Sequence, residues 1–124
     1  MKIVRKISFC LLLVLCSLVV SGCGAKADEN KPLSEVKAEA EQMSVEKLRQ
    51  MAVAYKDAVL AKRGEVEKFT GELKDIPIAE MLGGEAKQIK AEIENLNKSM
   101  SAIKERFDIY YKKLKEKGGD LSGL

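Results

Sequence analysis

The sequence predicts an all-α protein, a long antiparallel helical hairpin of coiled-coil type with a short helix before it that can dock on it. Three observations carry that prediction. After residue 22 the chain is rich in Ala, Glu, Lys and Leu and holds both of its two prolines at the edges of long helix-forming stretches. Two of those stretches repeat apolar residues at alternating steps of three and four, which is the period of a helix seam. Between them stands IPIAEMLGG, where Pro77 removes a backbone donor and Gly83-Gly84 permits a reversal.

The first element is a leader. Lys2, Arg5 and Lys6 make a basic start, and residues 7–20, ISFCLLLVLCSLVV, form an apolar run too short for a confident membrane span and followed by small residues. This pattern directs export and predicts cleavage, so residues 1–22 are expected to be a signal peptide. The run closes on Val20-Ser21-Gly22-Cys23, which resembles the lipobox of bacterial lipoproteins: an aliphatic residue, two small ones, then cysteine. The resemblance implies signal peptidase II cleavage between Gly22 and Cys23, with Cys23 carrying a diacylglyceryl group and usually a further acyl chain such as palmitate. Each buried methylene contributes about 0.8 kcal/mol, so two or three chains hold a protein on a membrane almost permanently. The expected location is the cell envelope. Gly24, in place of the aspartate that resembles an inner-membrane retention signal, fits the periplasmic face of the outer membrane in a Gram-negative cell, and otherwise the outer face of the plasma membrane applies.

Residues 23–31 are expected to be a lipidated, polar tether, containing ADENK. In residues 32–43, Pro32 suits a first helical position, and Leu33, Val36, Ala40 and Met43 recur on one helical face. Ser44 has the side chain of a helix N-cap. From it runs the first seam: Val45, Leu48, Ala52, Tyr55, Val59, Lys62, Val66, Phe69, Leu73 and Ile76. The loop lies at about 77–84 by the position of Pro77 and the glycine pair. The second seam is Ala86, Ile89, Ile93, Leu96, Met100, Ile103, Phe107, Tyr110 and Leu114. Laid antiparallel with residue numbers summing to 162, the seams bring Val66 beside Leu96, Tyr55 beside Phe107 and Ala52 beside Tyr110, large against small. The hairpin is thus expected over 44–117, with arms of about 45 to 50 Å. Residues 118–124, which open with Gly118-Gly119, are expected to be a flexible tail.

Cleavage changes the charge balance. The 124-residue chain carries 22 Lys and Arg against 19 Asp and Glu, but the leader holds three basic and no acidic residues, leaving 19 of each. A neutral chain gives no reason to expect nucleic acid as a partner. Cys10 and Cys16 leave with the leader and Cys23 is lipidated, so no disulfide is expected.

Histidine and tryptophan are missing, no free thiol remains after lipidation, and no glycine-rich phosphate loop is present. Nucleophile-base pairs built on Cys or His and the common zinc sites are therefore excluded, and neither a catalytic activity, a metal nor a cofactor is expected. The informative surface is on the first long helix. Met51, Ala54, Ala58 and Ala61 make a second apolar stripe that Val53, Leu60 and Gly64 widen, and a helix apolar on more than one face must be covered on more than one face. The short helix, a second copy of the chain or an envelope protein are the candidate covers. The function this predicts is that of a membrane-anchored structural or adaptor lipoprotein working through a helical protein-binding face. The alternative is a periplasmic chaperone or carrier gripping apolar cargo on that face or on the loop.

Overall fold

The computed structural model describes residues 24–124; residues 1–23, and with them the expected leader and the expected cleavage and lipidation site at Gly22 and Cys23, lie outside the described residues. The described chain is all-α, with no strand among these residues: α1 is Leu33–Gln42, α2 is Val45–Asp75 and α3 is Gly84–Glu116, with one 3-10 turn at Ile78–Glu80. α2 and α3 pack against each other as the long hairpin. At about 1.5 Å per residue they extend about 46 and 50 Å.

Local chemistry sets each boundary. Pro32 stands just before α1 and not within it, since its extended ψ of 135° starts the helix from outside. Met43 and Ser44 are both extended and make the joint between α1 and α2, and the Ser44 hydroxyl accepts from the Lys47 amide at 3.2 Å, capping the first turn of α2. Ile76 leaves the helix in extended conformation before Pro77, and the Gly83 amide donates to the Glu80 carbonyl at 2.8 Å to close the turn. Past the end of α3 at Glu116, Gly118 has a φ of 72°, in the left-handed region that glycine occupies without a Cβ penalty. The Gly119 amide then returns to the Leu114 carbonyl at 2.9 Å.

The core is concentrated at one end. Val36 and Ala40 of α1, Leu48, Met51, Ala52 and Tyr55 of α2, and Ile103, Tyr110 and Leu114 of α3 form a buried cluster. The Tyr55 and Tyr110 rings lie 5.4 Å apart, tilted by 35°. The expected neighbour of Tyr55 is Phe107, one turn away. Helical side chains lean toward their own N-terminus, so in an antiparallel pair Tyr55 leans toward the level of Tyr110 and Tyr110 leans toward Tyr55. The distal arm, residues 59–101, is thinner: its buried apolar residues are Ala86, Ile89 and Leu96, all on α3.

Two expectations are corrected. Residues 24–31 are no free tether, because Ala25 and Ala27 pack against the core cluster and the backbone of Asp28 and Lys31 is bonded to the hairpin. Residues 118–124 are no free tail either, since Leu121 and Leu124 pack on the same cluster. Composition read both segments as polar or glycine-rich linkers; the small side chains of Ala25 and Ala27 and the two tail leucines find apolar surface that α1 leaves open.

Candidate partner-binding and anchoring surfaces

The base of the hairpin is held by contacts that reach across the sequence. The Tyr55 hydroxyl donates to the Asp28 carbonyl and accepts from the Asp28 amide, both at 3.1 Å. Arg106 is buried, and its guanidinium donates to the Lys31 carbonyl from Nε at 2.9 Å and Nη2 at 2.5 Å and to the Ala102 carbonyl at 2.6 Å. Its charge meets carbonyl dipoles in place of a carboxylate. Glu29 accepts from the Ser99 hydroxyl. Lys31 pairs with Glu39 at 2.5 Å and Glu35 at 3.8 Å, and the hydrogen bond that its ammonium donates to Glu39 is the main cause that raises its pKa. α1 is tied to the end of α3 by Lys113, which pairs with Glu41 at 2.5 Å, and by Lys117, which donates to the Glu41 and Met43 carbonyls.

The tail lies on α2. Arg49 donates to the Asp120 carbonyl at 2.5 Å and to the Ser122 carbonyl at 2.9 Å, and Lys56 donates to the Gly123 carbonyl. Gly119 fits because it has no side chain: a Cβ there would come within 2.1 Å of a Leu114 methyl. The Asp120 carboxylate accepts from the Ser122 amide and hydroxyl, which lowers its pKa, and Arg49 adds to the shift.

These contacts divide the apolar face expected on α2. Met51 is a core residue, 8% exposed, and belongs to no free face, because it is part of the buried cluster at the base. Ala58 is half-buried against the same cluster. Ala54 lines an open groove of about 600 Å³ together with Ala25, Glu46, Arg49, Gln50, Val53 and Asp57. Val53 is 38% and Leu60 51% exposed, and Ala61 and Gly64 are exposed as well. No atom stands within 4 Å of where a Cβ on Gly64 would lie, so no backbone of this chain approaches it. The cover for the face is therefore not one element: the N-terminal segment takes the Met51 side, and Val53, Leu60, Ala61 and Gly64 stay open.

Lys62, the charge within the first seam, is half-buried and makes no ion pair within the described residues. At the far end of the arm, Ile78 is 93% and Leu82 84% exposed. Sequence reasoning missed Arg106 and Arg49. Their signal was position: Arg106 flanks the second seam one turn before Tyr110, and Arg49 follows Leu48 on α2, both places where a long cation can reach a neighbouring backbone.

Among the described residues no cluster of His, Cys, Asp and Glu has the arrangement to hold a metal ion, and no helix is long and apolar enough to cross a membrane. No family model, no curated protein and no solved structure matches the chain.

Proposed function

We propose that this protein is a lipid-anchored adaptor of the bacterial cell envelope, held on a membrane by acyl chains on Cys23 and offering its distal helical arm to a protein partner. The observation that carries the reading is the asymmetry of the molecule. The base is closed by α1, by residues 24–31 and by the tail, whereas the arm is two helices alone, with Leu60, Ala61 and Gly64 open at its root and Ile78 and Leu82 bare at its tip. Two exposed aliphatic side chains on a tight turn add nothing to folding, and such surface is a common place for another protein to bind. The leader, the lipobox and the absence of histidine and free thiols support an anchored binding protein over an enzyme. A carrier of apolar cargo is the weaker reading, because the grooves among the described residues are open and mixed in polarity.

Photo-crosslinking in intact cells tests the proposal. A benzophenone side chain at Leu60 or Ile78 should join the protein to one envelope protein, and the product should vanish with Cys23→Ala, which blocks lipidation and processing. Crosslinks spread evenly over many proteins, or unchanged by Cys23→Ala, would count against an anchored adaptor.

A further inference from the structure

The docked N-terminal segment fixes where the anchor leaves the molecule. Asp28 is held by Tyr55 and Lys31 by Arg106, and Ala25 lines the open groove along Glu46, Gln50, Val53, Ala54 and Asp57 of α2. Cys23 stands two residues before Ala25, so its Cα is at most about 7 Å from that of Ala25. With Asp28 pinned, the whole leash is five residues and spans at most about 18 Å; freed as far as Leu33, it would span about 35 Å. A lipid on Cys23 consequently draws one particular wall of the hairpin toward the bilayer.

We propose that this wall, made by Glu46, Gln50, Val53 and Asp57 of α2, lies against the bilayer that holds the acyl chains of Cys23. The inference rests on reading Cys23 as the lipidated residue. The occupant follows from the short leash, and Val53 offers an apolar contact at the middle of the wall. Glu46 and Asp57 are acidic and Arg49 is engaged with the tail carbonyls, so the wall has no free basic cluster to favour anionic lipid, and a zwitterionic surface suffices. Glu105 lies on the opposite outer side of the hairpin at a similar height, because it faces away from the Ile103–Tyr110 seam and pairs in level with residue 57. Two packed helices of about 10 Å each separate the two sides. Protein partners then meet the arm beyond this wall, from Leu60 and Gly64 to the tip at Ile78 and Leu82.

The test uses the lipidated, processed protein in phosphatidylcholine vesicles containing a few per cent of lipid with a nitroxide on the headgroup. A bimane is attached at Val53→Cys or Glu105→Cys, the acylated Cys23 being blocked and no other cysteine remaining in the mature chain. Quenching at position 53 should exceed that at position 105 at least threefold, and in the background of Tyr55→Phe with Arg106→Gln the ratio should fall toward one. Equal quenching at the two positions overturns the proposal, as does a bimane at position 53 that is shielded but unquenched, the sign of a second copy or a protein on that wall. A ratio unmoved by the double variant, with its helicity retained by circular dichroism, overturns the role given to residues 24–31. Mass spectrometry of the N-terminal peptide separates the two ideas: a peptide without a diacylglyceryl group refutes the anchor itself, whereas an acylated peptide with equal quenching refutes only the orientation.

Discussion

Tyr55 holds Asp28 by both of its backbone groups, its hydroxyl donating to the carbonyl and accepting from the amide across 27 residues of sequence. Tyr55→Phe keeps the ring against Tyr110 and removes only these two bonds. A partly exposed backbone pair regains water, so the expected loss is about 1 kcal/mol of stability. The Asp28 amide should exchange with solvent at least tenfold faster while the amides of α2 and α3 keep their protection. Hydrogen exchange read by NMR checks this, and an unchanged Asp28 amide would mean that the hydroxyl does not hold the segment.

Tyr110 presents the opposite case. Its ring is fully buried and its hydroxyl has no hydrogen-bond partner within the described residues. Burying an unpaired hydroxyl is unfavourable, so Tyr110→Phe should be neutral or stabilising by up to about 1 kcal/mol. Burial pushes the Tyr110 pKa up to about 12 from 10.0, with Tyr55 and then Glu39 and Glu35 adding to the shift. A folded-state pKa above the unfolded one means that the folded form keeps its proton longer. The stability linked to Tyr110 is complete below pH 10 and is lost as the pH rises from 10 toward 12. Thermal melts at pH 9 and pH 11.5 should therefore diverge less in Tyr110→Phe than in the parent protein.

The fold was legible in the sequence because the hairpin's energy comes from periodic apolar residues. Val45 to Ile76 and Ala86 to Leu114 repeat at helical spacing, and Pro77 with Gly83-Gly84 marks the reversal. Docking of residues 24–31 was not legible. It depends on backbone groups of Asp28 and Lys31, which have no sequence signature, and on tyrosine and arginine side chains that fit equally well in a seam or on a flank. The candidate face was half legible for a related reason. Periodicity told that Met51, Ala54 and Ala58 needed a cover, but not that Ala25 and Ala27, among polar neighbours, would be part of it.

The seam's register is open to direct measurement. With pairing near a sum of 162, Val66→Cys and Leu96→Cys lie side by side, whereas Val66→Cys and Phe107→Cys are offset by eleven residues, about 16 Å along the axis. Only the first pair comes within the span of a disulfide. Mild oxidation of residues 24–124 should close the Val66 and Leu96 pair within one chain and leave the other pair reduced on a non-reducing gel; efficient closure of the second pair would place the helices in another register.

Acid should loosen the tail first. The Asp120 carboxylate is held below its ordinary value by the Ser122 amide and hydroxyl, then by Arg49. A lowered folded-state pKa gives stability that is present above the unfolded value, near 3.8, and is lost as the pH falls through the folded one. Between pH 5 and about pH 2.5 the Ser122 amide should lose protection before the helices lose circular dichroism. Arg49→Ala should loosen the same segment already at pH 7, because it removes the donors to the Asp120 and Ser122 carbonyls together. An amide at Ser122 that is equally protected in Arg49→Ala would show that Leu121, Leu124 and the Lys56 bond to Gly123 hold the tail without Arg49.

Met51 and Leu60 separate packing from binding on one helix. Met51 is buried in the base cluster, so Met51→Ala deletes packing there, and a buried methionine truncated to alanine costs about 2 to 5 kcal/mol. The base cluster is rimmed by half-buried residues such as Ala25 and Ala27, which allows some collapse and puts the expected cost near the lower end, about 2 to 3 kcal/mol. Leu60 is 51% exposed in the open part of the face, and a surface change of that kind moves stability by no more than about 0.5 kcal/mol. Leu60→Glu should therefore keep the helicity and melting temperature of residues 24–124 while abolishing association, seen by sedimentation if a second copy binds there and by loss of the envelope crosslink if another protein does. Met51→Ala should do the reverse, lowering the melting temperature and leaving association intact below it. If Leu60→Glu instead melts like a core variant, the face is covered by this chain in solution; if it changes neither stability nor association nor crosslinking, the protein works through the tip at Ile78 and Leu82, and the same pair of measurements on Ile78→Ser would then show the loss of association that Leu60→Glu did not.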